Sequence, residues 1–569
     1  MSNLVENAMC RAVWQETLFS ERPNRLELSK LKATWPLADI TIRIHRNHSF
    51  EHVASATHAW FAWWERRPNF IYSDYDDSLS FDLDASDNAE VEIIWVDLTR
   101  YTERFGDDSE LIDWMQGRVQ ALRVKTNAPI LLLPCDGRQN LIQDLINRDW
   151  LTAGIRVGDF GGIKNSLGKG FYDERASKFS GTRLSNAACL LTARELACRW
   201  IPAFVKVRCK AIIVDLDQTL YNGVVGEDGL DVILSPTHIA LQQDLLEFRK
   251  QGIFLALVSR NEEDDVKMLF ESRQDFPLQW QHFSATKVNW DRKSKNIRQV
   301  AQELRIGVDS VVFIDDNPGE LAEVAMDSPK VSLIHAGLNP EITRTTMAYL
   351  PGLWAWSTSE EDEFRIGDMN AEIQRAQLRA VSADPMDYLR SLKIKLLVNV
   401  KPENHISRLS ELSLKTNQFN LNFSRVDEIR LSKMFKAAEY RIAAISMADR
   451  LSDSGIIGLV IGKLTGNALL VEELAISCRA LGRKLETLMI VSAVRALIGA
   501  DGITEIRFSY KTGPRNSPAL EWLANLTKER LVSEGESCCC VFELDSSASS
   551  LPVDIKLQLN DLPYTNDKN

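Results

Sequence analysis

The sequence predicts an α/β protein of several domains. Two observations predict it: short strand-like apolar runs alternate with helix-like stretches along most of the chain, and three of those runs, near its middle, end on residues able to do chemistry. At 569 residues the chain is too long for one hydrophobic core. A working size of about 150 residues per domain gives roughly three or four units.

Residues 1–205 open the rhythm. Asp39–His45 (DITIRIH), Val91–Leu98 (VEIIWVDL) and Ala128–Leu133 (APILLL) read as strands, Leu111–Val124 as an amphipathic helix, and Leu190–Phe204 as a closing helix. Residues 206–345 repeat it more cleanly. Lys210–Val214 is an apolar run ending at an aspartate, as a buried parallel strand does. A helix is expected from Pro236, with Leu241, Leu245 and Phe248 on one face and Gly252 as its stop. Ile253–Val258 is a second strand. Asn261 reads as the N-cap of the helix that follows, whose first turn carries Glu262, Glu263 and Asp264. Ser310–Ile314 is a third strand, ending at Asp315-Asp316. Residues 346–394 read as a connector, charged and helical over Glu360–Leu392. Residues 395–545 form another α/β region, with strands at Ile456–Ile461, Ala468–Ile476, Ile503–Tyr510 and Cys538–Leu544 and a helix over Lys484–Leu497. Residues 546–569 are polar and expected as a loose tail.

The formal net charge of −12 argues against a nucleic-acid partner, because phosphate contact needs a basic surface. The N-terminal residues lack the basic start and apolar run of a secretory signal, and no stretch approaches the length of a membrane span. The nine cysteines form no CxxC pair and read as reduced thiols of a cytoplasmic protein.

Val214-Asp-Leu-Asp-Gln-Thr-Leu220 puts two carboxylates two residues apart at the tip of a strand. Phosphoryl transfer to an enzyme carboxylate needs a nucleophile, an acid and base for the leaving and entering oxygens, and a metal to neutralise charge. Asp215 is placed to attack. Asp217, one step further, is placed as acid and base, its backbone carbonyl helping to hold Mg²⁺. Mg²⁺ takes a few carboxylate oxygens beside water and phosphate, and Asp315 or Asp316 supplies the missing ligand. Ser259 can donate a hydrogen bond to a phosphoryl oxygen, and Lys293 or Lys287 would oppose the developing negative charge.

The order DLDQT, VSR, a lysine and FIDD resembles the haloacid dehalogenase (HAD) phosphotransferase superfamily. The longer strings DLDQTLYNGVVGEDGL, LVSRNEEDDV, WDRKSKNI and VFIDDNPGE resemble its FkbH-like members along roughly 120 residues. The resemblance implies a Rossmann-like central sheet with little or no cap, and it makes Thr219, Arg260 and Asn261 substrate-binding residues beside Ser259. FkbH-like sequences read tryptophan-glycine-glycine after the DxDxTL string, where this chain has Tyr221-Asn222-Gly223.

The flanks carry weaker resemblances. Thr416-Asn-Gln-Phe-Asn420 and Ser477-Cys-Arg-Ala-Leu-Gly-Arg483 are similar to motifs of the FkbH C-terminal part, which implies a GNAT-like acetyltransferase fold. The stretch Arg479–Lys484 would then be a phosphate-binding loop at a helix N-terminus, with Arg479 and Arg483 contacting substrate. The resemblance also implies loading of a glyceryl group, taken from 1,3-bisphosphoglycerate, onto an acyl carrier protein, with Cys478 as the candidate thioester relay. Its position near Arg479 and a helix N-terminus favours the thiolate. A small-molecule phosphatase and an inactive carrier-binding scaffold are the alternatives. The first region resembles a degenerate SGNH-hydrolase-like domain: Ile42–Asn47 lacks the strand-tip serine and Asp173–Ala176 lacks the histidine. His45, His48, His52 and His58 lack a Cys or acidic complement for zinc and are expected on the surface.

Overall fold

Short runs rich in Val, Ile and Leu suit strands covered on both faces. That is how Val91–Asp97, Ile130–Cys135, Ala211–Val214 and Val311–Asp315 are found, buried along their whole length. The computed structural model describes residues 2–81, 88–148, 150, 154–175, 177–356, 360–382, 384–477, 479–481, 483–499, 503–513, 515–528, 538–542 and 553–559. It falls into two compact units, residues 1–358 and 359–569.

The first unit holds two parallel five-stranded sheets. One is built from β1 (Ala38–Arg46), β2 (Arg66–Tyr75), β3 (Val91–Asp97), β4 (Ile130–Cys135) and β5 (Ile155–Val157), in the order β2-β1-β3-β4-β5. The other is built from β6 (Ala211–Val214), β7 (Phe254–Ser259), β8 (Ala285–Val288), β9 (Val311–Asp315) and β10 (Ser332–His335), in the order β10-β9-β6-β7-β8. A single apolar core containing Trp60, Trp95, Trp200, Ile212 and Leu255 underlies both. The chain leaves β6 toward β7 on one side and returns to pair β9 on the other, so the order reverses between β6 and β9. Ligands of open α/β sheets bind at such a point, outside the strand carboxyl ends.

The expected helix after Pro236 runs Pro236–Lys250 with Ser235 as its cap, its hydroxyl accepting from the His238 N–H. The closing helix of the first region begins earlier than expected, at Asn186, because Ser185 caps it. It then widens into a π-helical turn at Leu196–Trp200 before Pro202. Two of the histidines expected on the surface are buried. His45 Nε2 lies 2.9 Å from Glu92 Oε2 on the neighbouring strand, and the His48 ring stacks on Trp95 with centroids 4.8 Å apart. Both take partners from β3, which the local spacing does not reveal. His52 and His58 are exposed.

The second unit opens with the helices Glu360–Val381 and Pro385–Leu392 and continues into a seven-stranded mixed sheet. Its strands are β11 (Lys395–Val400), β12 (Tyr440–Ala448), β13 (Asp453–Thr465), β14 (Ala468–Ile476), β15 (Glu505–Tyr510), β16 (Cys538–Phe542) and β17 (Asp554–Leu559), in the order β16-β15-β14-β13-β12-β11-β17. Residues 554–559, read from sequence as part of a tail, pair in parallel with β11. No helix among the described residues is long and apolar enough to cross a membrane.

Candidate active site

Asp215 follows β6 directly, and Asp315 ends β9, the adjacent strand, with Asp316 beside it. Among the described residues, Asp215, Asp315 and Asp316 form a group whose carboxylate oxygens lie within 4.8 Å of one another. Lys293, the first residue of the helix Lys293–Glu303, reaches into the group. Its Nζ lies 3.1 Å from Asp215 Oδ2 and 2.6 Å from Asp315 Oδ2. Lys287, the alternative lysine, pairs instead with Glu303 at 3.0 Å.

Burial works against the charged ammonium of Lys293, yet Asp215 and Asp315 outweigh it and hold its pKa above the usual lysine value. Burial, and then the charge of Asp215, raises Asp315 against the pull of Lys293. Asp316 is pushed up to about 6 by burial and by Asp215. Asp215 Oδ1 is buried with no hydrogen-bond partner. An orphaned carboxylate oxygen beside two carboxylates with raised pKa fits a hard divalent cation, which favours oxygen ligands and replaces the protons.

The Asp217 side chain lies outside this carboxylate group. Its Oδ1 accepts from the Tyr221 hydroxyl at 2.9 Å and from the Val225 N–H at 3.1 Å, and its Oδ2 accepts from Asn261 Nδ2 at 3.0 Å. The turn that presents Asp217 is tight. Gln218 has a φ of 55°, which a side-chain-bearing residue adopts only under constraint. Gly223, at φ 122°, holds backbone that L side chains rarely adopt, and a Cβ there would press on Asp228 Oδ2 at 2.8 Å. A bridge between Asn222 and Ile233 closes this short flap.

Asn261 is not a helix cap. The helix runs Glu263–Ser272 behind Glu262, and the Asn261 amide turns inward to join Asp217 to the Ser259 hydroxyl at 3.1 Å. Ser259 ends β7 and is buried; Thr219 is buried with its hydroxyl unpartnered. Arg260 pairs with Glu320 at 3.1 Å and stays 39% exposed. From the sequence Tyr221 is only a departure from a family pattern; its place four residues after Asp217, in a turn, is the signal that could have found it.

Of the expected substrate residues of the second unit, Arg479 and Arg483 are among the described residues. Arg483 is buried beneath the helix Glu360–Val381, where its Nη2 lies 3.7 Å from Asp368 and 3.8 Å from Asp449, next to Arg375. Its guanidinium therefore lies within an internal ion cluster. Arg479 lies in the turn after β14, its N–H donating to Ser477 Oγ at 3.4 Å, and Cys478 lies outside the described residues. The helix behind this loop runs Glu486–Ile498, with Glu486 in its first turn, where an acidic residue suits the helix dipole.

The segment Phe419–Ser424, which contains the end of the Thr416–Asn420 motif, fills a gap in the sheet. β14 and β15 pair only as far as Val471 and Phe508. Beyond that point the Leu421 N–H donates to the Leu474 carbonyl at 3.1 Å, the Ile476 N–H to the Phe419 carbonyl at 2.9 Å, and the Lys511 N–H to the Leu421 carbonyl at 2.7 Å. Glu473, buried, fastens the segment by accepting from Ser413 Oγ and Asn420 Nδ2 at 2.8 Å each and from the Ser424 N–H at 2.9 Å.

Fold and site together define an α/β protein with a carboxylate–lysine centre at the switch point of a parallel sheet, equipped to hold a divalent cation. No family model matches the chain, and no curated protein sequence matches it. Among solved structures it is similar to the N-terminal part of the protein BF1531 from Bacteroides fragilis, containing a phosphatase domain complexed with Mg. That match has 18% identity and a TM-score of 0.45, and covers 60% of this chain and 99% of that one. It is also similar to the PaiA N-acetyltransferase from Thermoplasma acidophilum in complex with coenzyme A, at 14% identity and TM-score 0.17, covering 21% of this chain and 72% of that one. A variant of the spermidine N-acetyltransferase SpeG from Vibrio cholerae matches at 12% identity and TM-score 0.20, covering 27% of this chain and 96% of that one.

Proposed function

We propose that this chain is a Mg²⁺-dependent phosphoryl-transfer enzyme of HAD type that works through an aspartyl-phosphate on Asp215. The observation that supports it best is the buried, unpartnered Asp215 Oδ1 at the switch point, within a carboxylate group that Lys293 enters. Asp215, Asp315, Asp316 and the Asp217 backbone carbonyl are the residues that would hold the cation. Mg²⁺, when bound, supplies charge neutralisation on the phosphoryl oxygens.

The chain's own groups do the rest. An Asp215 oxygen attacks phosphorus as the bond to the leaving oxygen breaks, and Asp217 gives that oxygen its proton. A water then attacks the phospho-aspartate and passes a proton to Asp217. The bond between phosphorus and Asp215 breaks, releasing inorganic phosphate and restoring the carboxylate. Lys293 holds Asp215 in place and opposes the charge on the transferring group, while Ser259, Asn261 and Thr219 bind the phosphoryl oxygens and Arg260 the substrate at the rim.

The substrate we propose is a short phosphorylated acyl donor such as 1,3-bisphosphoglycerate, whose glyceryl group is loaded on the phosphopantetheine thiol of an acyl carrier protein. In that sequence the acyl carbon passes to a thiol, Cys478 being the proposed relay, with phosphate leaving. The remaining phosphate ester is hydrolysed at Asp215. The resemblance of the DLDQTL, LVSR and FIDD strings to FkbH-like sequences supports this choice. The burial of Arg483 favours a second reading, a small-molecule phosphatase without acyl transfer, because it takes from the second unit a cation that would greet the carrier's phosphate.

Intact-mass analysis of a carrier protein incubated with 1,3-bisphosphoglycerate, Mg²⁺ and the full chain separates the two. A gain of one glyceryl group that disappears in Cys478→Ala supports loading. Phosphate release without mass gain supports the phosphatase. Turnover retained in Asp215→Asn would discard the nucleophile and both readings with it.

A further inference from the structure

Asp217 is held by more donors than a proton carrier needs, and their distribution between its two oxygens is uneven. Oδ1 accepts from the Tyr221 hydroxyl and from the Val225 N–H, which occupies both of its lone pairs; among the described residues Oδ2 accepts from Asn261 alone. We infer, building on the phosphoryl-transfer reading, that Tyr221 is a positioning residue that locks Oδ1 of Asp217 as an acceptor, so that Oδ2 carries the catalytic proton to the leaving oxygen of an alkyl phosphate monoester.

The surrounding structure makes the lock rigid. Tyr221 is fully buried, its ring packed against Phe276 with centroids 5.8 Å apart, so the hydroxyl cannot swing away from Asp217. The same turn places it: the Leu220 N–H bonds the Leu216 carbonyl at 2.9 Å, and Tyr221 follows at four residues from Asp217. The second donor comes from the flap that Gly223 and the Asn222–Ile233 bridge close, which sets the Val225 N–H over the same oxygen. A proton on Oδ1 would have to displace one of these two donors. A proton on Oδ2 displaces neither.

The chemistry of the leaving group turns this geometry into a substrate class. An acyl phosphate expels a carboxylate, which needs little help from an acid. An alkyl phosphate expels an alkoxide, whose departure depends on proton transfer in the transition state. A rigidly aimed acid is therefore of most use against an alkyl ester, and the inference assigns to Asp215 the ester phosphate of the proposed donor rather than its acyl phosphate.

The test is kinetic, on the full chain with saturating Mg²⁺. Acetyl phosphate, a set of phenyl phosphates of graded acidity and glycerol 3-phosphate are hydrolysed by the wild type and by Tyr221→Phe. The expected result is a fall in kcat that grows with leaving-group basicity, from about 3-fold for the acyl phosphate to about 100-fold for the alkyl ester, with KM little changed. An equal loss across the series would show a merely structural role and overturn the inference, as would an unchanged alkyl rate. Should Tyr221→Phe fold poorly, seen as a lost Mg²⁺-dependent rise in melting temperature, Asn261→Ser serves in its place. It removes the donor to Oδ2 together with the amide's bond to Ser259. A fall in kcat that again grows with leaving-group basicity is expected, and an equal loss across the series would refute the assignment of the proton to Oδ2. A wild type inactive on every ester sinks the phosphoryl-transfer reading itself, a result distinct from any obtained with the variants.

Discussion

The Lys293 ammonium lies 2.6 Å from Asp315 Oδ2, and the two side chains are 4% and 0% exposed. Three carboxylates face this one ammonium, which leaves two negative charges in a nearly dry site. A divalent cation carries the opposite charge, and the centre is incomplete in electrostatic terms without one.

Lys293→Met makes the imbalance measurable. Removing one partner of a buried ion pair costs about 3–5 kcal/mol, so the metal-free variant should melt well below wild type at pH 8. Because Asp315 and Asp316 have raised pKa values, acidification neutralises them, and most of the deficit should vanish at pH 5. Mg²⁺ should recover part of it at pH 8. Turnover should fall by about 10²-fold or more even with metal present, since the cation opposing the phosphoryl charge is gone. Melts at the two pH values, with and without Mg²⁺, decide it; a deficit independent of pH would count against the charge argument.

Asp316 offers a second handle on the same charges. Its pKa is raised from 3.8 to about 6, so between those values the folded chain keeps a proton that the unfolded chain has lost. Its contribution to stability is present at lower pH and fades as pH rises through 6. A bound cation takes the place of that proton. The rise in melting temperature on adding Mg²⁺ should therefore be larger at pH 7.5 than at pH 5, and Asp316→Asn should flatten the difference. An equal rise at both values in the wild type would remove Asp316 from the ligand set.

Much of the site could be read from the chain because strand ends are local features. Lys210–Val214, Ile253–Val258 and Ser310–Ile314 are apolar runs, and the residue after each run had to lie at the sheet rim. What escaped was set by partners distant in sequence. Asn261 before Glu262-Glu263-Asp264 carries the local signature of a cap, and only the arrival of Asp217, 44 residues away, shows the amide to be turned inward. His45 looked like a surface residue until Glu92 met it across the sheet. Arg483 sits in a loop that suggests an anion site, while Asp368 lies more than a hundred residues earlier and supplies its counter-charge.

The segment in the gap between β14 and β15 depends on one buried carboxylate. Glu473 accepts from Ser413, Asn420 and Ser424. Glu473→Ala strands three donors, at about 1–3 kcal/mol for each group left unpaired. Hydrogen exchange should rise first at residues 419–424 and at the ends of β14 and β15 that they join. Exchange that rises uniformly over the sheet, with residues 419–424 still protected, would show that Glu473 does not fasten the segment.

Arg483 and Arg375 share a buried cluster but are bonded very differently. Arg375 Nε donates to Asp449 Oδ2 at 2.8 Å and its Nη2 lies 3.2 Å from Asp368 Oδ1, while Ser452 and Ser454 also donate to Asp368. Arg483 Nε and Nη2 are buried without hydrogen-bond partners, and burial lowers its pKa against the pull of Asp368 and Asp449. Breaking a well-bonded buried pair is costly, whereas replacing a poorly satisfied ion by an apolar side chain of similar shape is often neutral or stabilising. Arg375→Met should therefore cost about 3–5 kcal/mol in denaturant unfolding, and Arg483→Met should cost less than about 1 kcal/mol or raise stability. The same Arg483→Met protein also tests the loop. An arginine that contacted a carrier's phosphate would raise the KM for the carrier on substitution, whereas one serving the cluster would leave it unchanged. A loss of carrier affinity with stability intact would return Arg483 to the binding role that its sequence context first suggested.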